Sequence, residues 1–179
     1  MIRILLSMLA LVAVTLVEGC ARMHQLMTRT PAATAAVLPT KDNTARGDIR
    51  LVQRDSGVVL VSGRISGLSP GSHGFHIHEK GNCSAPDAAS AGGHFNPSGS
   101  THGANGGGTR HGGDLGNIVA GPDGVADINV EITGISLGTA PDSVVGRSVV
   151  VHAKADDFTT QPSGNAGSRV GCGLISRSE

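Results

Sequence analysis

Three histidines fall within six residues of the stretch Gly71-Ser-His-Gly-Phe-His-Ile-His-Glu79. In an extended strand alternate side chains share a face, so His76 and His78 would point one way and Phe75 and Ile77 the other. Such a strand can offer two imidazoles to a metal while its opposite face packs into a core. Two histidines on an exposed strand face would satisfy the same pattern, so the pair alone does not decide. The next stretch of chain is more specific. Between Lys80 and Gly113 there is no periodic apolar run, and this Gly-, Ser- and Asn-rich segment holds His94, His102 and His111, with Asp114 directly after it. Three imidazoles and one carboxylate form a donor set that suits tetrahedral Zn²⁺. His152 ends the run Val149-Val-Val-His and adds a further imidazole from a distant part of the chain; an imidazole-rich set suits copper. Any one loop histidine is more simply read as solvated or turn-stabilising, but the group together points to a metal centre.

The elements that would position these residues are short strands. The chain has 179 residues, 39% of them apolar but only 2% aromatic, so its core must be built from Val, Ile, Leu and Ala. The 27 glycines fit many turns and shaped loops better than helices. Residues 33–38 read as a first strand, and residues 47–53 and 57–65 as a hairpin around Asp55-Ser-Gly57. Leu68-Ser-Pro-Gly71 turns into the histidine strand. Residues 115–120 and 125–132 flank the turn Gly121-Pro-Asp-Gly124. Residues 147–153 and 170–175 are the last two strands, separated by a second loop over residues 154–167. The long stretch after Lys80 would be uncommon unless it is functional or disordered. About eight strands, two long loops and no convincing helix give an all-β, antiparallel Greek-key sandwich or flattened barrel over residues 33–179. Formal net charge is zero with no basic block, so nothing favours a nucleic-acid partner.

The N-terminus reads as a targeting segment. Arg3 precedes an apolar run over residues 4–17, of signal-peptide length and short for a bilayer span. Leu16-Val-Glu-Gly-Cys20 is similar to a bacterial lipoprotein cleavage site, with Glu18 an unusual occupant. Residues 1–19 would be the leader, Cys20 the lipidated first residue of the mature chain, and residues 20–32 a tether; a plain secretory signal with an incidental cysteine is the alternative. Of the three cysteines, Cys20, Cys83 and Cys172, pairing the two inside the domain leaves Cys20 for the lipid. A disulfide fits export to an oxidising compartment.

The motifs Gly74-Phe-His-Ile-His-Glu79, Gly93-His-Phe-Asn-Pro97, His111-Gly-Gly-Asp-Leu-Gly-Asn117, Val150-Val-His-Ala-Lys-Ala-Asp-Asp157 and Gly164-Asn-Ala-Gly-Ser-Arg-Val-Gly-Cys-Gly173 stand in order at compatible spacing. Together they resemble the copper/zinc superoxide dismutase family, over roughly residues 33–176. The short, uncharged second loop, Phe158-Thr-Thr-Gln-Pro-Ser163, resembles its bacterial, lipoprotein-type branch.

The resemblance implies one copper and one zinc per subunit. His76, His78, His94 and His152 match copper ligands, and His94, His102, His111 and Asp114 match zinc ligands, with His94 bridging the two ions. Asp156 matches a carboxylate that links the far nitrogens of His76 and His102. Arg169 matches the arginine that holds the anion beside copper, and with His94 would be the catalytic pair; Cys83 and Cys172 match the family disulfide. His73 matches a structural histidine rather than a ligand. The implied activity is dismutation of superoxide to O₂ and H₂O₂ by alternate reduction and reoxidation of copper, in the cell envelope, on the periplasmic or extracellular face of a membrane. A homodimer is compatible with it. A non-catalytic copper-binding envelope lipoprotein is the competing reading, but it would not need Arg169 or the zinc set. With the second loop uncharged, attraction of the anion would fall to Lys80, Arg110, Lys154 and Arg169.

Overall fold

The computed structural model describes residues 30–54 and 57–178. The leader, most of the tether, Cys20 and the hairpin residues Asp55 and Ser56 lie outside the described residues. The strands are β1 (Ala32–Pro39), β2 (Arg46–Gln53), β3 (Val59–Ser66), β4 (Gly71–His78), β5 (Asp114–Ala120), β6 (Ala126–Ile132), β7 (Ser148–His152), β8 (Arg169–Leu174) and β9 (Ser176–Arg177). Pairing runs β5-β4-β7-β8-β1-β2-β3-β6, entirely antiparallel, and the two-residue β9 adds to β1. This is the expected all-β architecture, a nearly closed barrel with one small extra strand and, among the described residues, a single 3₁₀ turn, Ala89–Ala91, in the first long loop.

Alternation decides which face each strand buries. Along β1, Ala33, Ala35 and Val37 are buried while their neighbours are exposed, and Ile49 and Leu51 do the same on β2. The core they build is mainly aliphatic, with Val59, Val61, Ile65, Ile128, Ile132 and Leu137 added and two phenylalanines, Phe75 and Phe95, in it. β4 departs from alternation: all six residues from His73 to His78 are buried. Phe75 and Ile77 pack into the core, and the long loops cover the face that carries His76 and His78.

β1 joins the two halves of the barrel. Its residues 32–37 pair with β2, and Leu38 and Pro39 pair with Cys172 and Gly171 of β8. The turn at Gly121-Pro-Asp-Gly124 connects β5 to β6, which do not pair and instead form the two ends of the ladder path.

Two bulges sit at the histidine-bearing end. Phe75 opposes Gly116 but His76 opposes Asp114, so Leu115 is the extra residue on β5. Val151 opposes Gly171 but His152 opposes Arg169, so Val170 is the extra residue on β8. A bulge bends its strand and re-aims the neighbouring side chain, and here the re-aimed residues are Asp114 and Arg169.

Candidate metal centre

β4 contributes His76 and His78, β7 contributes His152, β5 contributes Asp114, and the first long loop contributes His94, His102 and His111. The loop is anchored to β4 by an isolated bridge between His78 and His94 and by the Phe95 N–H donating to the Ile77 carbonyl. One donor atom from each of His76, His78, His94 and His152 lies within 4.8 Å of the others, and the same holds for His94, His102, His111 and Asp114. All seven residues are buried, and His94 belongs to both groups.

Hydrogen bonding at the outer ring nitrogens sets which nitrogen is left for a metal. A carbonyl only accepts, so His78 Nδ1, 2.9 Å from the Gly92 oxygen, and His152 Nδ1, 3.1 Å from the Gly167 oxygen, must carry the protons. Their Nε2 lone pairs then face one another at 3.4 Å, where neither can donate to the other. Asp156 settles two more rings: its Oδ2 accepts from His76 Nε2 at 2.9 Å and its Oδ1 from His102 Nε2 at 2.8 Å. The inward atoms His76 Nδ1, His94 Nε2 and His102 Nδ1 are consequently buried with no hydrogen-bond partner.

Around Asp114 the case for a cation is stronger. Its Oδ1 lies 2.8 Å from His94 Nδ1, 3.1 Å from His102 Nδ1 and 3.2 Å from His111 Nδ1. His102 Nδ1 presents a lone pair to a carboxylate oxygen, a repulsive contact unless a cation lies between them. Bonds of about 2.0 Å to a tetrahedral ion imply donor separations of about 3.3 Å, close to those seen. The other oxygen, Oδ2, accepts the backbone N–H groups of His111 at 2.8 Å and Gly103 at 3.1 Å, which orients the carboxylate.

Electrostatics favour the metal-binding forms of His76, His78, His111, His152 and Asp114. Burial pushes His76 down to about 4 and His152 to about 3, and it holds His78 well below the usual imidazole range. The Arg169 charge adds to the lowering at His78 and His152. Burial also lowers His111. Burial alone would raise Asp114 and Asp156, but hydrogen bonds outweigh it: those from His94, His111 and Gly103 hold Asp114 far below the carboxylate range, and those from His76 and His102 lower Asp156. Neutral imidazoles and ionised carboxylates are the forms that bind metal.

Arg169 is positioned from the loop that the disulfide closes. Its Nη1 donates to the Ala88 carbonyl and its Nη2 to the Gly92 carbonyl at 2.6 Å, and Gly92 also accepts from His78. Cys83 and Cys172 are bonded, tying that loop to β8, the strand that carries Arg169. Arg110, counted among the cations for steering, instead donates to the carbonyls of His111, Gly112 and Thr133. His73 stays outside both donor groups, its ring nitrogens against the His152 and Ser69 carbonyls.

Sequence reasoning missed two amides. Asn117 Oδ1 accepts the Asp156 N–H at 2.8 Å and its Nδ2 donates to the Asp156 carbonyl at 2.9 Å. Gln161 makes the same pair of bonds to His102, at 2.9 and 3.1 Å. Asn117 sits inside a recognised motif, which was a usable signal; Gln161 is a polar residue in a loop and gives none.

The family profile described as copper/zinc superoxide dismutase (SODC) matches residues 45–175. Among curated relatives, copper-zinc superoxide dismutase 3 of Arabidopsis thaliana is 48% identical over 147 residues, covering 79% of this chain and 88% of its own. Copper-zinc superoxide dismutase 2 of Mesembryanthemum crystallinum is 47% identical over 140 residues, covering 75% and 88%. Among solved structures, the crystal structure of the clock protein EA4 superposes with a TM-score of 0.75 at 42% identity, covering 83% of this chain and 96% of that one. With its profile matched across most of the barrel and relatives near half identity over most of their length, the chain belongs to the copper/zinc superoxide dismutase family.

Proposed function

We propose that this chain is an exported superoxide dismutase of the cell envelope, of the bacterial lipoprotein-type branch, with His76, His78, His94 and His152 holding copper and His94, His102, His111 and Asp114 holding zinc. The observation that carries this reading is the convergence of unpartnered nitrogens on the two sides of His94, its Nε2 toward His76, His78 and His152 and its Nδ1 toward Asp114. When bound, copper supplies the electron relay, taking one electron from a first superoxide and returning it to a second, while zinc has no redox chemistry of its own. The balance is two superoxide and two protons to one O₂ and one H₂O₂.

The chain's own residues do the rest. Arg169, held by two carbonyls and aimed by the Val170 bulge, attracts and orients the anion next to His78 and His152. His94 Nε2, whenever it is free of metal, is the atom that can take a proton and pass it to the second anion. Asp114, His102 and His111, the residues that would hold zinc together with His94, would keep the ring in place from its Nδ1 side. Asp156 and the Gly92 and Gly167 carbonyls fix the tautomers of the other rings. The mature chain, reconstituted with copper and zinc, is expected to consume superoxide catalytically; both metals bound without turnover would favour the non-catalytic copper-binding lipoprotein.

Cys20 would carry the lipid anchor and place the enzyme against superoxide arising outside the cytoplasm, a reading supported by the short apolar leader and Leu16-Val-Glu-Gly-Cys20. Mass spectrometry of the mature protein tests it: an unmodified N-terminus beginning anywhere other than Cys20 removes the anchor. A homodimer is part of the same proposal. Leu38 and Leu174, exposed on the adjoining strands β1 and β8, are apolar surface that it would cover. Sedimentation of the parent chain as a monomer would remove it.

A further inference from the structure

Residues 158–163 of the second loop carry no charge, and Asp157 before them caps Thr159 and Thr160; the loop grips one residue of the metal loop at three points. Asp156 Oδ1 accepts from the His102 ring at Nε2. The Gln161 carboxamide takes both backbone groups of the same residue, its Oε1 accepting the His102 N–H at 2.9 Å and its Nε2 donating to the His102 carbonyl at 3.1 Å. This is the hydrogen-bond pattern that a neighbouring strand would supply, delivered by a side chain. The next backbone N–H, that of Gly103, points at Asp114 Oδ2. Rotation of the peptide at His102 would therefore disturb two donors of the His94, His102, His111, Asp114 group at once.

We propose that Gln161 is a positioning residue for zinc: by pairing with both backbone groups of His102 it holds that ligand's Nδ1 in the donor group and makes zinc retention depend on the second loop. The proposal rests on the reading of His102 as a zinc ligand. The carboxamide is neutral, so the grip does not weaken with ionic strength as a charged loop contact would. It also acts on the ligand's backbone, which leaves the ring free to bind metal at one nitrogen and Asp156 at the other.

The test is the rate at which the copper- and zinc-loaded full chain loses zinc to a chromophoric chelator, together with the visible spectrum of the chain carrying Co²⁺ in place of zinc. Gln161→Ala is expected to release zinc about tenfold faster, the lower end of what loss of a ligand's supporting partner costs, and to shift the Co²⁺ bands. The ratio to the parent should be the same at low and high salt. Gln161→Glu keeps the acceptor for the His102 N–H and loses the donor, so its rate should fall between the two. Thr159→Ala lies in the same loop, and its hydroxyl reaches Asp157 rather than His102; it should release zinc at the parent rate. Equal rates for Gln161→Ala and the parent, or equal acceleration in Gln161→Ala and Thr159→Ala, would overturn the proposal. A parent chain that takes up no stoichiometric zinc, or whose Co²⁺ spectrum ignores His102→Ala, would instead overturn the ligand assignment beneath it.

Discussion

Arg169 concentrates more consequence than any other single side chain, because two carbonyl bonds hold its half-buried charge beside His78 and His152. With Arg110 turned to the backbone and residues 158–163 of the second loop uncharged, Arg169→Ala should leave metal content intact while lowering the second-order rate with superoxide about tenfold or more, and should flatten its salt dependence. Pulse radiolysis across a salt series measures both; an unchanged slope would sink the idea. The imidazoles carry a second prediction at the same scale. An unfolded histidine titrates near 6.5, whereas folded, metal-free His76 and His152 are pushed by burial to about 4 and about 3. Below about pH 6.5 the unfolded chain binds protons that the folded chain refuses, so the stability of the metal-free protein should fall as pH drops from about 6.5 toward 4. His76 alone contributes on the order of 3 kcal/mol to that loss. Thermal melts of the metal-free chain that stay flat over this window would contradict it. The donor residues were legible from type and spacing. Asp156, already a candidate partner for the far nitrogens of His76 and His102, makes the choice for those two; for His78 and His152 the nitrogen offered was not legible, because the Gly92 and Gly167 carbonyls decide it and every sequence carries carbonyls at every position.

At the scale of elements, the first long loop has two jobs and the disulfide serves one of them. Residues 83–92 present the Ala88 and Gly92 carbonyls to Arg169, while residues 94–111 bring in three donor histidines. Closing the segment between Cys83 and Cys172, a sequence separation of 89, is worth about 4 to 5 kcal/mol in the loop-entropy account. Replacing both Cys83 and Cys172 by Ser should lower stability by roughly 2 to 5 kcal/mol and reduce turnover further than it reduces bound metal, since the carbonyls that hold Arg169 lose their tether. Denaturation together with metal analysis separates the two effects. In the second loop, Gly164 adopts a φ of +65°, and a Cβ there would sit 1.7 Å from Asp156 Oδ1 and 2.6 Å from His102 Nε2. Gly164→Ala should therefore destabilise the zinc-loaded chain by about 1 to 3 kcal/mol and speed zinc loss, as read by melting with and without the metal. Strand positions were legible to within a residue or two because apolar alternation is a local signal. The bulges at Leu115 and Val170 were not: one extra apolar residue looks like a continuation of its strand. Nor does the turn at Gly121 to Gly124 announce that the strands it joins leave each other.

At the scale of the whole molecule, the small, mainly aliphatic core, two phenylalanines in it and a neutral net charge describe a barrel held by shape rather than by charge. Its class was readable from strand count and glycine content, while its pairing order could not be read locally, because the decisive contacts join residues far apart in sequence. The pairing of Leu38 with Cys172 and of Pro39 with Gly171 is the extreme case. It places the last long strand between β7 and β1, in the middle of the ladder path. A sheet whose opening and closing strands are neighbours has a schedule: its two halves cannot join until the final residues have emerged. Deleting residues 169–179 should then abolish cooperative melting altogether, where trimming a true edge would only weaken it. If the chain is exported as we propose, late completion would be protective: the barrel would stay open during passage, and the metals would meet a finished site only on the far side.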